Sequence, residues 1–298
     1  MIIKGIKKRI AKAKSTVGRI KKFSKFRPRI RSKHPSYDAL RDRLPLFPFR
    51  SVVRFGSTTE LRDTESQGGN RIELNSTEGI RNSSSKFKMK ELFVKAGVKT
   101  PKYIKYSSGI IYPNLCKILE NDTIVAKKCF GSRGEGMKLI QNQGEFDSFI
   151  ATTRNLSHYL FEPYFSGVRE YRLHCTEDGC FYTCRKVLRS DVPEENRWYR
   201  NDSNCNWLME TNEGFDKPVN WDSIVAECVK ALKALGLDMA GFDVRVQSAT
   251  TSKGKIRTNP DFIILESNSA CSLGEVTAEK YLLEIPKVLN KKYNKIKN

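Results

Sequence analysis

Ile3, Ile6, Ile10, Ala13, Val17 and Ile20 recur at three- and four-residue steps, with lysines and arginines on the remaining faces, so the chain is expected to open with a helix. The following "FRPRIRSKHPSYDALRDRLPLFPFR" has four prolines that break any long helix and reads as a linker. From Ser51 the pattern changes to short strands alternating with helices. "SVVRFGS" is a strand ending in glycine, and "SSSKFKMKELFVKAGVKTP" is a helix capped by one of its serines and stopped near Gly97. "DTIVAKKCF" and "GMKLI" are strands, "NQGEFDSFIATTR" is a helix, and "HYLFEPYF" is a strand ending at a proline. "REYRLHCTEDGCFYTCRKVLR" alternates about a turn at Asp178-Gly179 and predicts a hairpin. "WDSIVAECVKALKALG" is an amphipathic helix closed by Gly236; "MAGFDVRVQ" and "RTNPDFIILESN" are strands, and "GEVTAEKYLLEIPKVLNKK" is a final helix. Hairpins mixed with crossovers indicate an α+β architecture of several small sheets.

"VAKKCFGSRGEGMKLI" carries the first chemistry. Gly131, Gly134 and Gly136 can adopt φ > 0 and bring N–H groups close to an anion. The spacing is not that of a Walker loop, and a strand follows the glycines where a dinucleotide fingerprint needs a helix. Strand, glycine turn and strand make a flap, with Lys127 or Lys128 on the strand before it.

Composition narrows the classes. At 298 residues, with 39% hydrophobic and 29% charged residues, the chain is an ordinary globular protein able to bury a substantial core. Its apolar runs fall short of the ~20 residues of a membrane span, and lysines interrupt any signal-peptide core, so a cytoplasmic location is expected. Eight cysteines without a CxxC pair, and only three histidines, argue against zinc and for reduced thiols. The net charge of +21 is uneven: residues 1–34 hold 14 Lys and Arg and no acid, leaving +7 for the rest. Such an extension suits a nucleic-acid backbone, an anionic membrane or an acidic protein; it also has the character of an import presequence, and it could instead pack on the body.

Near the C-terminus, Asp243 lies in one expected strand and Glu266 and Asn268 in the next. Alternation puts Glu266 and Asn268 on one face, where they can share a cation, and Asp243 can join from across the ladder. Hard oxygen ligands on strands suit magnesium, which takes few protein groups and fills its other positions with phosphate oxygens and water.

Lys86 at a helix start, Lys127 with the glycine flap, "FEPYFSGVREYR", Asp243 and then Glu266-x-Asn268 form an ordered series that resembles the ATP-grasp superfamily. Within it, the ribosomal-protein glutamate ligases and, more distantly, D-alanine–D-alanine ligase are the nearest likenesses. The resemblance covers about residues 75 to 290. "KFKMKELFVKAGVKTP" looks like the family's lysine-led helix, and "IVAKKCFGSRGEGM" like its phosphate strand and flap, with Lys128 where proline is usual. "LGLDMAGFDVRV" and "FIILESNSACSLG" resemble its two metal-bearing strands.

The resemblance implies two α+β lobes gripping ATP, residues 86–163 and 164–298, behind a reduced pre-grasp segment at 51–85 and a basic helical extension and linker at 1–50. Lys86 and Lys127 would then neutralise phosphates, with Gly131, Ser132, Gly134 and Gly136 closing over them. The backbone of Glu162-Pro163-Tyr164 would meet adenine, and Glu170 the ribose. Arg172 and Lys186 would face the transferred phosphoryl group, although Arg185 and Arg189 compete with Lys186. Asp243, Glu266 and Asn268 would hold two magnesium ions. The implied activity is a carboxylate–amine (or thiol) ligase releasing ADP and phosphate from small-molecule or peptide substrates. The alternative is a nucleic-acid- or membrane-associated binding protein with an inactive grasp fold. Two departures stand out: a long loop between Asp243 and Glu266, and a first 80 residues unlike the usual pre-grasp domain.

Overall fold

Three sheets follow one another along the chain, in a computed structural model that describes residues 25–32, 34–60, 71–131 and 134–298. The helix expected over Ile3 to Ile20 lies outside the described residues, as does Ser132.

The first sheet departs from expectation. Its strands β1 (Arg29–Ser32), β2 (Ser51–Phe55) and β3 (Ile72–Leu74) are parallel and ordered β1-β2-β3. The stretch expected as linker therefore supplies a strand, a short helix α1 (Asp38–Arg41) and a buried apolar set of Ile30, Tyr37, Leu40, Leu44, Phe47 and Phe49, packed with the C-terminal helix. Proline bars a long helix, but it is compatible with the positions used here. Pro28 sits just before a strand, and Pro35 occupies the first turn of a 3-10 helix, where its missing N–H costs nothing.

Two capped helices follow, α2 (Thr77–Ser84) and α3 (Lys86–Lys95). Ser76 accepts from the Gly79 N–H at 3.0 Å and Ser85 from the Lys88 N–H at 3.3 Å. Gly97, at φ 66°, ends the second helix, as its sequence position predicts. The middle sheet is antiparallel, order β4-β7-β5-β6, from β4 (Ile104–Lys105), β5 (Ile124–Lys128), β6 (Lys138–Ile140) and β7 (Tyr159–Pro163). Helices α4 (Tyr112–Leu119) and α5 (Gln143–Thr152) close its core through Leu115, Phe146 and Phe149.

The third sheet is antiparallel and ordered β10-β9-β8-β11-β12. Its strands are β8 (Arg169–Thr176), β9 (Gly179–Leu188), β10 (Cys205–Met209), β11 (Met239–Val246) and β12 (Phe262–Asn268). Helix α6 (Trp221–Leu235), closed by Gly236 at φ 70°, buries its apolar stripe on one face. On the other side α7 (Glu275–Lys297) packs through Tyr281, Ile285 and Leu289. Asn75 joins the first and third sheets: its amide donates to the Arg54 and Met239 carbonyls and accepts from the Asp238 and Met239 N–H groups. Among the described residues no helix is long and apolar enough to cross a membrane.

His174 lies wholly inside this packing, with Nδ1 2.9 Å from the Tyr281 hydroxyl and its ring among Phe181, Tyr182 and Tyr281. Burial, with Arg172 adding to it, pushes its pKa down to about 3, so the ring is neutral when folded. An unfolded chain takes up this proton near pH 6.5, and the native state resists doing so. Stability should therefore be full above pH ~6.5 and fall by up to ~1.4 kcal/mol per pH unit as pH drops toward 3. His174→Gln should flatten the melting temperature between pH 6.5 and 4.5; an unaltered slope would show that another group carries it.

Candidate active site

A cavity of about 400 Å³ opens where the three sheets meet, lined by strand side chains of the second and third sheets and by residues just past two strands of the first. The carboxyl ends of the parallel strands β1 and β2 deliver His34 and Gly56 to one end. Helices α2 and α3 supply Ser83, Ser84 and Lys86, strand β5 supplies Lys127 and Lys128, and the glycine turn supplies Gly131 and Gly134. From the third sheet come Glu170, Arg172, Lys186, Asp243, Arg245, Glu266 and Asn268.

Alternation places these groups. Glu170 and Arg172 are i and i+2 on β8, as are Asp243 and Arg245 on β11 and Glu266 and Asn268 on β12. Asp243 pairs with Arg172 on one side and Glu266 on the other, and Glu170 pairs with Lys186. A connected row of charge results. Arg172 Nε and Nη2 bind the two oxygens of Asp243 at 2.7 and 2.9 Å. Lys186 Nζ bridges Asp243 Oδ2 and Glu170 Oε1, both at 2.8 Å, and Arg245 Nη2 takes Glu170 Oε2 at 2.7 Å. Burial opposes ionisation of both acids, but Lys186 and Arg245 hold Glu170 down to about 2, and Arg172 and Lys186 hold Asp243 well below the carboxylate range. The Arg172 guanidinium also lies 4.8 Å from the Trp207 ring centroid.

Opposite this row, Lys127 Nζ donates to Glu162 Oε2 at 2.6 Å, and Lys86 Nζ reaches the Gly131 carbonyl at 3.0 Å and Glu266 Oε2 at 3.3 Å. The flap turn depends on glycine. Gly136 has φ 68°, and a Cβ there would lie 2.5 Å from Lys128 Cε and 2.9 Å from the Tyr159 hydroxyl. A second, smaller cavity of about 40 Å³ adjoins the first, lined by Glu162, Pro163, Tyr164, Trp198 and Tyr199 among others.

The donor set suits a hard cation in part. Asp243 has used three of roughly four acceptor directions. Glu266, with its side chain 32% exposed and one ion pair, is the more available carboxylate. The end of the Asn268 amide that lacks a partner is its buried Nδ2, a donor that suits a phosphate oxygen, so a cation would have to take the Oδ1 end. No group of three or more His, Cys, Asp or Glu able to hold a metal occurs among the described residues, so a cation here would rely on few protein ligands and draw others from its substrate.

The structure brings Lys86, Lys127, Gly131, Gly134, Glu170, Arg172, Lys186, Asp243, Glu266 and Asn268 to one cavity, and Glu162, Pro163 and Tyr164 to its neighbour. Gly136 shapes the flap but lines neither. Of the three basic residues that compete on β9 and beyond it, only Lys186 faces the cavity; Arg185 pairs with Asp216, and Arg189 with Asp191. Glu170, expected at a ribose, has both oxygens engaged by Lys186 and Arg245. Sequence reasoning missed Arg245, although its i+2 spacing from Asp243 was a usable signal. It also missed Tyr199 to Asp202, which only the fold carries to the cavity.

The sequence matches no family model and no curated protein. Solved structures do match. D-alanine–D-alanine ligase from Bacillus anthracis superposes with a TM-score of 0.63 at 14% identity, covering 92% of this chain and 100% of that one. The same enzyme complexed with ATP gives 0.60 at 12% identity, over 91% and 98% of the two chains. The ATP-grasp ligase PsnB complexed with minimal precursor gives 0.52 at 12% identity, over 83% and 91%. Identities this low establish a shared fold.

Proposed function

We propose that this chain, which has the ATP-grasp fold, is an ATP- and magnesium-dependent ligase that joins a carboxylate to an amine through an acyl phosphate. The observation that carries the reading is convergence. Lys86 and Asn268, 182 positions apart, line one cavity, with Lys86 and Lys127 on one wall and a row of paired acids and bases and an amide on another. A retired binding module would need no such combination.

In this reading Lys86 and Lys127 take the phosphate oxygens as point charges, and the flap N–H groups near Gly131 and Gly134 close over them. Adenine lies at the smaller cavity, against the backbone of Glu162 to Tyr164. A volume near 40 Å³ is far smaller than a purine, so the walls of this cavity must open for one to enter. Magnesium, held by Glu266 and Asn268 with Asp243 beside them, would offset phosphate charge as a Lewis acid. A substrate carboxylate oxygen attacks the γ-phosphorus, and the bond to the β–γ bridging oxygen breaks to release ADP. A neutral amine then attacks the acyl carbon, phosphate leaves, and the nitrogen gives up a proton. Arg172 has N–H donors beyond the two bound to Asp243, and with Lys186 it stabilises charge that develops on the transferred group.

The direct test is wild-type protein with ATP, magnesium and a pool of carboxylates and amines, read by mass spectrometry. The expected product has the mass of acid plus amine less water, formed in step with ADP and phosphate. Lys127→Ala should weaken ATP by tenfold or more in calorimetry while the protein stays folded, because Glu162 keeps Lys90 as a partner at 3.1 Å. Equal affinity in the variant would remove the phosphate role from this lysine.

A further inference from the structure

We propose that Lys90, one layer behind the cavity, is a positioning residue that shares the Glu162 carboxylate with Lys127 and so leaves the Lys127 charge available to a phosphate. The proposal rests on the nucleotide reading above.

Lys90 is one helical turn beyond Lys86 on α3, yet it lines neither cavity and is 1% exposed. Its ammonium donates to Thr100 Oγ1 at 2.6 Å and lies 3.1 Å from Glu162 Oε1. Thr100 Oγ1 in turn donates to the Ile264 carbonyl at 3.0 Å, which fixes the ammonium from the β12 side. The other oxygen of Glu162 is 2.6 Å from Lys127 Nζ. Each lysine therefore faces one oxygen of a single buried carboxylate, Lys127 through a hydrogen bond to Oε2 and Lys90 through its charge at ion-pair distance from Oε1, which has no hydrogen-bond partner among the described residues.

The charges explain the arrangement. Lys127 with Glu162 alone is a neutral pair, and an incoming phosphate would compete with a full carboxylate for that ammonium. Adding Lys90 makes the trio +1, with the two ammonium groups sharing one counter-charge and only Lys127 open to the cavity. Burying a second ammonium is costly where an apolar side chain of similar volume would pack without penalty. Beyond the one lysine needed to balance Glu162, the site thus holds a second buried positive charge beside the cavity.

Groups facing Lys90 are Glu162 from β7, Lys127 from β5, Glu266 acting through space from β12, and the Thr100 hydroxyl. Burial lowers the pKa of Lys90 to about 8, with Glu162 opposing the fall and Lys127 adding to it.

The test is ATP affinity of the full chain by calorimetry, with magnesium at pH 7. Lys90→Met should bind ATP about tenfold more weakly or worse, an effect of one lost charge at short range. Lys90→Met with Glu162→Gln should recover most of the affinity. In a Glu162→Gln background, where no carboxylate competes for Lys127, Lys90→Met should cause little further loss, whereas a purely structural role would add its loss in either background. Wild-type affinity in Lys90→Met, or an additive loss, overturns the proposal alone. Failure of the wild type to bind ATP overturns the ligase reading and this proposal with it. Should Lys90→Met not fold, Lys90→Gln, which keeps a donor for Thr100 and removes the charge, decides: affinity should fall about tenfold, and wild-type affinity rejects the idea.

Discussion

Asp243→Asn is expected to melt on the order of 10 °C below the wild type, a loss of about 3–5 kcal/mol for an unbalanced buried ionic cluster. The substitution is isosteric and keeps an acceptor, so packing does not change. What changes is charge. Asp243 is 2% exposed and, among the described residues, is the only anion bound to Arg172, and it shares Lys186 with Glu170. Without it, Arg172, Lys186 and Arg245 face Glu170 alone. The acid limb should change too. A carboxylate whose folded pKa is depressed gives stability that is present above its unfolded pKa, near 4, and lost as pH falls through the folded value. The variant should lack that share of the wild-type loss below pH ~4. Thermal melts across pH 2 to 7 measure both effects; a variant that melts with the wild type would show that these charges are not coupled.

Glu266→Gln should do the reverse: leave the melting temperature within the equivalent of ~1 kcal/mol and cut turnover a hundredfold or more. Its side chain is 32% exposed and its one ion pair, to Lys86 at 3.3 Å, is partly solvated. Removing the charge therefore costs little in the fold but deprives a phosphate-bound cation of its most available carboxylate. Release of ADP and phosphate, followed with increasing magnesium, is the measurement. Undiminished turnover would take the metal role from Glu266. AMP and pyrophosphate from the wild type would replace the acyl phosphate by an acyl adenylate.

The contrast between these carboxylates was not legible in the sequence, where Asp243 and Glu266 look alike: single acids near strand ends. Pairing decides it. Asp243 lies on a strand flanked on both sides, next to Arg172 of β8, whereas β12 is a sheet edge with one neighbour. The same holds for Lys186 against Arg185 and Arg189. The resemblance left Lys186, Arg185 and Arg189 as candidates, and only the register of β8 with β9 sets Lys186 across from Glu170.

Local patterns by themselves determined the flap strands β5 and β6, the β8–β9 hairpin, a serine cap, the glycine stops and the order of the motifs, because period, capping and positive φ act over a few residues. Even the shared face of Glu266 and Asn268 followed from alternation. Tertiary structure alone decided the rest. A proline-rich stretch became a parallel strand and buried core because α7, more than 220 residues later, covers its apolar side chains. Lys90, an unremarkable lysine in a lysine-rich helix, became a buried charge because β7 brings Glu162 beneath it. Burial and long-range pairing fix which charges are shared, and neither has a period that a chain can display.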